Sequence, residues 1–200
     1  MEEDNQALDR ELLSKAEDAL DTSKFQLMNL KESTFTTSIL FQLNFYFTKE
    51  IKGAMVDVEK IQLNPDYFLE LSPKDRISLL AKLSWHLAYN HPLRYQELED
   101  AFEFDLFSQA ADHSVNTMLK DKGYHIPESW HSDSQYKDMF VEEIYKYLHE
   151  DPNTPPSNPP QFSPNSEQEG TNPNPPKMSL EQQQQKQQQM QQWLLIHRGF

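Results

Sequence analysis

The chain has 200 residues, which is enough for one domain of ordinary size with flanking segments. Its 32 acidic residues against 18 lysines and arginines give a net charge of −14. This charge argues against direct binding to nucleic acid, which requires clustered basic residues. The chain has no cysteine, which excludes disulfides and thiolate metal sites and fits a reducing compartment.

Targeting signals do not stand out in the sequence. No apolar run approaches the roughly 20 residues that span a bilayer. The first residues, MEEDNQALDRELL, are acidic where a signal peptide is basic. We therefore predict a cytoplasmic protein that has no membrane partner.

Composition divides the chain into four predicted parts. Residues 1–24 form an acidic N-terminal helix, and residues 25–150 form the main domain, which is rich in aromatic and aliphatic side chains. Residues 151–177 carry nine of the thirteen prolines and predict a disordered linker, because they have little apolar surface to offset the entropy of ordering. Residues 178–200 are rich in glutamine and predict a C-terminal helix, with Ser179 as its N-cap.

The first half of the chain is predicted to be helical with one β-hairpin, because most apolar residues recur three and four apart. The first helix covers about residues 5–20 and has four apolar residues on one side: Leu8, Leu12, Ala16 and Ala19. A second helix is predicted from Phe25 to Lys49, where the stretch SILFQLNFYF lies between charged ends. Two alternating segments, Ala54–Val58 and Lys60–Leu63, predict one small β-hairpin.

The segment from Ser72 to Arg94 has the strongest local helix signature. Ser72 is a suitable N-cap, Pro73 suits the first helical position, and Asp75 completes a capping-box pattern. Pro92 is predicted to bound the end of this helix. An inward stripe is predicted from the apolar and small residues: Ile77, Leu80, Ala81, Ser84, Leu87 and Ala88.

Two further helices complete the predicted domain. One covers residues 105–121 and stops before Gly123, a natural C-terminal cap. The other spans about residues 134–149, with an apolar face formed by Met139, Phe140, Ile144, Tyr147 and Leu148. The predicted fold class is therefore mainly α, with one small β-hairpin.

The helix that begins at Ser72 carries histidines in a setting similar to that of a zinc-protease helix. In an H-E-x-x-H motif, two histidines four residues apart bind zinc from one helical face, and the glutamate acts as general base. Here His86 is preceded by Lys82 where the first histidine would stand and by Leu83 where the glutamate would stand. Because the segment is predicted as one helix, His86 and His91 are expected to lie well apart around its axis.

The order of motifs resembles the putative metallopeptidase domain family of bacteria and tailed phages. LNPDYFLEL is followed by LLAKLSWHLAYNHPLR, AADHSVNTML, YHIP and FVEEIYKYL, over about residues 25–150. That family typically reads H-E-x-x-H-x-x-x-x-H-x-x-R and then A-x-D-x-x-x-N. The positions that match it are His86, His91, Arg94, Asp112 and Asn116.

The resemblance implies a zincin-like domain. In bacteria, such domains are often paired with a von Willebrand factor A region and an AAA-type ATPase. Lysine at neutral pH is a cation that repels a divalent metal, and leucine cannot carry a proton. We therefore predict a phage protein with a catalytically degenerate domain, which acts in the host cytoplasm as a protein-binding or regulatory module. Its partner is expected to be a host or phage ATPase or a regulatory protein.

Two alternatives to this function remain open. The first is an active zinc-dependent metallopeptidase in which His86, His91 and Asp112 bind the metal, with His113 next to them in sequence. The second is an acidic mimic that inhibits a host nucleic-acid-binding protein, which is disfavoured because lysines interrupt the negative charge. We expect no cofactor under the main hypothesis and zinc under the first alternative.

Other polar residues give weaker signals. His125 and His131 are predicted to lie on the surface, in a loop around Pro127. An acidic stretch is predicted to form a solvated face or a docking surface for a basic partner. Its carboxylates are Asp100, Glu103 and Asp105.

The end of the chain carries a compact apolar group. Trp193, Leu194, Leu195 and Ile196 follow a segment with nine glutamines within residues 182–192. A tail exposed to solvent gains nothing from such a cluster, which predicts that these four residues bind a partner or pack on the domain. The alternative is a frayed, solvated tail.

Overall fold

A computed structural model describes residues 2–31, 33–57, 60–98 and 103–150. The predicted linker and the predicted C-terminal helix, including the apolar group at residues 193–196, lie outside the described residues and stay predictions. The described residues form a mainly α-helical structure with a small three-stranded sheet, which confirms the predicted fold class at that level.

Seven α-helices, three strands and one 3-10 turn make up this part of the chain. The helices are α1 (Glu2–Met28), α2 (Thr34–Leu40), α3 (Pro65–Glu70), α4 (Pro73–Ala88), α5 (His91–Leu98), α6 (Phe104–Asp121) and α7 (Val141–Glu150). The strands are β1 (Asn44–Phe47), β2 (Ala54–Val56) and β3 (Lys60–Leu63), and the 3-10 turn is Ser134–Tyr136. None of the described helices is long and apolar enough to cross a membrane.

The sheet contains the predicted hairpin and one strand more. Strands β2 and β3 are antiparallel, with Val56 opposite Ile61, and β1 pairs in parallel with the other side of β3. The prediction of one helix from Phe25 to Lys49 is therefore wrong. Helix α2 is short, and the segment after it pairs with β3, so a tertiary contact rather than local propensity decides its conformation.

Helix α1 is longer than predicted at its C-terminal end. Ala16 is fully buried as the apolar spacing predicted, and Leu20, Ser23 and Leu27 continue the same buried side. This face packs on α3 and α4, so α1 covers one side of the helical core.

Helix α4 lies at the centre of the fold. Its predicted cap is confirmed, since the hydroxyl of Ser72 accepts a hydrogen bond from the backbone N–H of Asp75 at 3.2 Å. The buried surface is wider than the predicted stripe and runs from Ser78 to Ser84 without interruption. Because α1, α2 and α6 all pack on α4, side chains on several of its faces are removed from water.

The prediction of one helix from Ser72 to Arg94 is wrong. Helix α4 ends at Ala88, and a new helix, α5, begins at His91. Between them Asn90 has a φ of 59°, in the left-handed region that asparagine tolerates better than most residues. Pro92 starts the second helix instead of ending the first, because its ring would clash with the carbonyl of Ala88 in a continuous helix.

The last two helices differ in how well they were predicted. Helix α6 ends as expected before Gly123, which has a φ of 85°. Helix α7 begins seven residues later than predicted, and Phe140 and Tyr147 are exposed rather than part of its apolar face. Its buried face consists of Val141, Ile144, Tyr145 and Leu148.

Candidate functional site

The site lies where α4 packs against α6. Lys82 and His86 are one turn apart on α4, and both face Asp112 of α6. All three side chains are almost completely buried, so a polar cluster is enclosed within an apolar core. Charged groups in such a setting require partners, because burial removes the water that would solvate them.

The ion pair between Lys82 and Asp112 joins α4 to α6. The Lys82 Nζ donates to Asp112 Oδ2 at 2.9 Å, with side-chain exposures of 3% and 4%. The same ammonium lies 4.8 Å from the centroid of the Trp130 ring, within the range of a cation–π contact. The lysine is therefore held by a carboxylate and an aromatic face, with almost no access to solvent.

The electrostatics of this pair favour an ionised carboxylate. Burial alone would raise the pKa of Asp112, but the ammonium of Lys82 and the contact with His86 together lower that pKa to about 2. Burial lowers the pKa of Lys82, and the carboxylate of Asp112 opposes that effect. The site thus contains a desolvated negative charge that is compensated by a lysine ammonium.

The two predicted metal-ligand histidines contact each other. The Nδ1 atoms of His86 and His91 are 2.9 Å apart, and His86 Nε2 lies 3.3 Å from Asp112 Oδ1. The expectation that His86 and His91 lie well apart is wrong, because the break at Asn90 turns α5 back towards α4. A proton on His86 Nε2 suits the nearby carboxylate, which leaves its Nδ1 to accept a hydrogen bond from His91.

Both histidines are held in the neutral form. Burial lowers the pKa of His86, although the neighbouring Asp112 opposes this shift. Burial, the neighbouring His86 and the charge of Arg94 place the pKa of His91 well below its usual value. At neutral pH the cluster therefore contains one carboxylate, one lysine and two uncharged imidazoles.

These residues do not fit a divalent metal ion. The position of the first motif histidine holds Lys82, whose ammonium occupies one oxygen of the carboxylate that a metal would need. The Nδ1 atoms of His86 and His91 are directed at each other rather than at a common point. Within the described ranges, no group of three or more His, Asp or Glu side chains is arranged to hold a metal. A divalent ion here would also meet the positive charge of the lysine.

Leu83 contributes to packing. Its side chain is fully buried, and it carries no group that could transfer a proton. The position where the motif places a general base is thus occupied by part of the apolar core.

The remaining motif positions have structural contacts. Arg94 forms an ion pair with Glu142 of α7, which ties α5 to the last described helix. Asn116 donates from Nδ2 to the backbone carbonyl of His131 at 2.8 Å and so fixes the loop after α6. Neither contact requires a metal, so both are explained by packing alone.

A second pair of histidines lies near the cluster. The ring of His113 is 5.4 Å from that of His131 and 4.9 Å from that of Tyr136. His131 is half-buried, so its predicted place on the surface is wrong, whereas His125 is exposed and its Nδ1 lies 2.7 Å from Asp75. Burial, together with the nearby His131, lowers the pKa of His113 to about 4.

Two partners in this region are not predicted from the sequence. The exposure of the acidic stretch is predicted correctly for the residues that the structure describes. Trp130 lies 48 residues after Lys82, and Glu142 lies 48 residues after Arg94, so neither partner is adjacent in sequence to the residue it contacts. Glu103 and Asp105 are exposed as predicted, and Asp100 lies outside the described residues.

The buried neutral histidines make stability depend on pH. The folded-state pKa of His113 is about 4, against an ordinary value of 6.5, so the unfolded chain takes up this proton first as the pH falls. Stability is therefore expected to decrease from about pH 6.5 downwards, by about 1.4 kcal/mol per pH unit for each histidine that remains neutral in the folded state. His86 and His91 act in the same direction, whereas Asp112 loses its contribution only as the pH falls from 3.8 through about 2.

Urea unfolding between pH 7 and 4.5 measures this dependence. His113→Phe is expected to flatten the slope by about one proton. Equal slopes for wild type and His113→Phe would contradict the neutral state of His113.

Comparison with known proteins gives one finding. A family model described as a putative metallopeptidase domain matches residues 17–194, which is most of the chain and extends beyond the motifs at both ends. No curated protein and no solved structure matches the chain significantly.

Proposed function

We propose that this chain, which belongs to the putative metallopeptidase domain family, is catalytically degenerate. It acts as a protein-binding or regulatory module. The proposal includes a phage origin and a protein partner such as a host or phage ATPase. It also includes a partner-binding role for the apolar group formed by Trp193, Leu194, Leu195 and Ile196.

The observation that carries the proposal is the buried ion pair of Lys82 with Asp112. Metal-dependent hydrolysis of a peptide needs a metal-bound water and a base that takes its proton. In this chain an ammonium lies 2.9 Å from the carboxylate, and a buried leucine replaces the base. The two substitutions remove different parts of the same mechanism, so neither can compensate for the other.

The lysine also supplies a physical reason why the fold tolerates the loss of a metal. A buried aspartate with no cation nearby is strongly unfavourable. The ammonium of Lys82 provides a positive charge beside Asp112, and the two residues connect α4 to α6. The domain can thus keep its packing while the chemistry is absent.

One observation favours the alternative of an active zinc peptidase. His86 lies within contact distance of both His91 and Asp112, and both imidazoles are neutral, as metal ligands must be. Binding would still require Lys82 to lose its proton or to leave the carboxylate, and no base is available at position 83. We therefore retain the degenerate domain as the main proposal.

Elemental analysis and a hydrolysis assay test the proposal on the purified full-length chain. We expect far less than one zinc per chain after purification with and without added zinc, and no cleavage of casein. One tightly bound zinc per chain, together with cleavage that a chelator stops, would show that the chain is an active peptidase.

A further inference from the structure

Strand β1 forms one edge of the sheet. The strand order is β1-β3-β2, so β1 pairs with β3 on one side and with no described strand on the other. An edge strand carries a row of backbone N–H and C=O groups that an added strand can pair in register. The edge of β1 is therefore an interaction surface that an extended chain can recognise through its backbone.

The hydrogen bonds to β3 show which groups of β1 face outward. The N–H of Thr48 donates to the carbonyl of Leu63 at 2.9 Å. In a parallel pair, alternate residues of one strand bond to the neighbouring strand, so Tyr46 faces β3 as Thr48 does. Phe45 and Phe47 therefore direct their N–H and C=O groups away from the sheet. Neither of these two backbones forms a hydrogen bond in the part of the chain that the structure describes.

The side chains of β1 alternate between the two faces of the sheet. On the inner face, the centroid of the Phe47 ring lies 6.2 Å from that of Phe68 in α3. Phe45 shares that face, and the Lys24 Nζ lies 3.9 Å from the centroid of its ring. Tyr46 points to the opposite face and is 52% exposed. The outward backbone groups thus belong to residues held by their side chains, and an exposed tyrosine lies between them.

This edge is uncharged in a strongly acidic chain. Residues 33–48 contain no Asp, Glu, Lys or Arg, although the whole chain has a net charge of −14. Edge strands are commonly protected from pairing by charged side chains on the strand itself, and β1 has none. Two copies that each carry this net charge repel each other, so an uncharged segment is where their approach is least opposed.

The outward groups of β1 are matched to those of a second β1. A two-fold axis at Tyr46 places Phe45 of each copy opposite Phe47 of the other, so the outward groups of both residues meet in an antiparallel ladder. Tyr46 then faces Tyr46 of the second copy in a non-hydrogen-bonded pair, whose Cα atoms are about 4.5 Å apart. Their rings form a cross-strand aromatic pair on the exposed face.

We propose that the edge of β1 pairs with β1 of a second copy of the chain, which joins the two three-stranded sheets across a two-fold axis. A second copy supplies an uncharged edge with outward groups at the matching positions, so both open edges are closed at once. The inference goes beyond the proposed function, because the polar cluster of Lys82, His86 and Asp112 takes no part in the pairing.

A cysteine at the two-fold axis tests the register of the pairing. The chain has no cysteine, so full-length Tyr46→Cys carries a single thiol. A Cα separation of about 4.5 Å lies within the range that a disulfide bridges. Mild oxidation is therefore expected to give a covalent dimer on a non-reducing gel. Tyr147→Cys is the matched control, since Tyr147 is 61% exposed on α7, and it should cross-link at least about tenfold more slowly.

Charge at the same position tests the pairing without a covalent bond. Sedimentation equilibrium of the wild type is expected to show a monomer–dimer equilibrium. Tyr46→Lys should weaken the dimer by about tenfold or more, because like charges then lie directly opposite each other. An equal mixture of Tyr46→Lys and Tyr46→Glu should form a mixed dimer that is tighter than the dimer of either variant alone. Tyr147→Lys should leave dimerisation unchanged.

These experiments have outcomes that would overturn the pairing. A wild type that stays monomeric over the whole concentration range is one of them. Equal cross-linking of Tyr46→Cys and Tyr147→Cys, or equal weakening by Tyr46→Lys and Tyr147→Lys, would place the contact elsewhere on the chain. A mixed dimer no tighter than those of the single variants would show that Tyr46 does not face its own copy. Thermal melts of each variant establish that it is folded.

Discussion

Replacing Lys82 with methionine is expected to lower the free energy of unfolding by about 3–5 kcal/mol at pH 7. Methionine has a similar length and fits the buried space, so the main effect is the loss of the positive charge. Asp112 would then be a buried carboxylate without its ammonium partner, 2.9 Å away in the wild type. Urea unfolding, followed by circular dichroism, measures the change.

Two controls show whether the loss comes from the buried pair. Lys49→Met removes an exposed lysine that also pairs with an aspartate, Asp9, at 2.7 Å, and should change the free energy of unfolding little, because solvent screens that pair. Lys82→Met combined with Asp112→Leu should recover most of the loss, because no charge is left uncompensated. If Lys82→Met costs no more than Lys49→Met, the ion pair does not stabilise the fold in the way described.

Local signals in the sequence predicted the parts of the fold that depend on neighbouring residues. The N-terminus of α4 follows from Ser72, Pro73 and Asp75, which lie within four residues of one another. The end of α6 follows from Gly123, and the hairpin of β2 and β3 follows from alternation on either side of a turn. In each case, the interaction that fixes the structure lies within the segment that shows the pattern.

The misjudged elements depend on partners that are distant in sequence. Strand β1 has an aromatic sequence that fits a buried helix or a strand, and only its pairing with β3, 16 residues later, selects the strand. The break after α4 has a local signal in Pro92, which predicts the end of one helix from the sequence alone but lies in the first turn of α5 in the structure. Because the chain turns at this junction, His91 lies next to His86, whereas one continuous helix would separate the two residues around its axis.

The candidate site also combines features that local sequence predicts with contacts between distant residues that it does not predict. Lys82 and Leu83 were recognised from motif spacing, because the helix that carries them is regular. The contact of Lys82 with Asp112 spans 30 residues, and that of Arg94 with Glu142 spans 48. Charge and residue type allow such pairs but do not select them, since the packing of α6 and α7 decides which side chains meet.

Restoring the motif is expected to restore metal binding. In Lys82→His, two histidines lie one turn apart on α4 and face Asp112, whose second oxygen is no longer held by an ammonium. We expect zinc affinity to rise by at least about 100-fold over the wild type, because three potential ligands replace an arrangement that contains a repelling charge. Isothermal titration with zinc measures the difference, and adding His86→Ala to Lys82→His should abolish the gain.

The glutamate of the motif can be tested separately, because Leu83 is fully buried and its replacement is risky for the fold. Lys82→His with Leu83→Glu adds a carboxylate to the core, so its free energy of unfolding is expected to fall unless zinc is present. Stabilisation of this double variant by zinc, beyond that seen for Lys82→His alone, would place the glutamate beside the bound metal, where it could act as a base. A folded Lys82→His whose zinc affinity equals that of the wild type would instead show that α4 does not hold the geometry of a metal site, and that residues other than Lys82 and Leu83 also prevent zinc from binding.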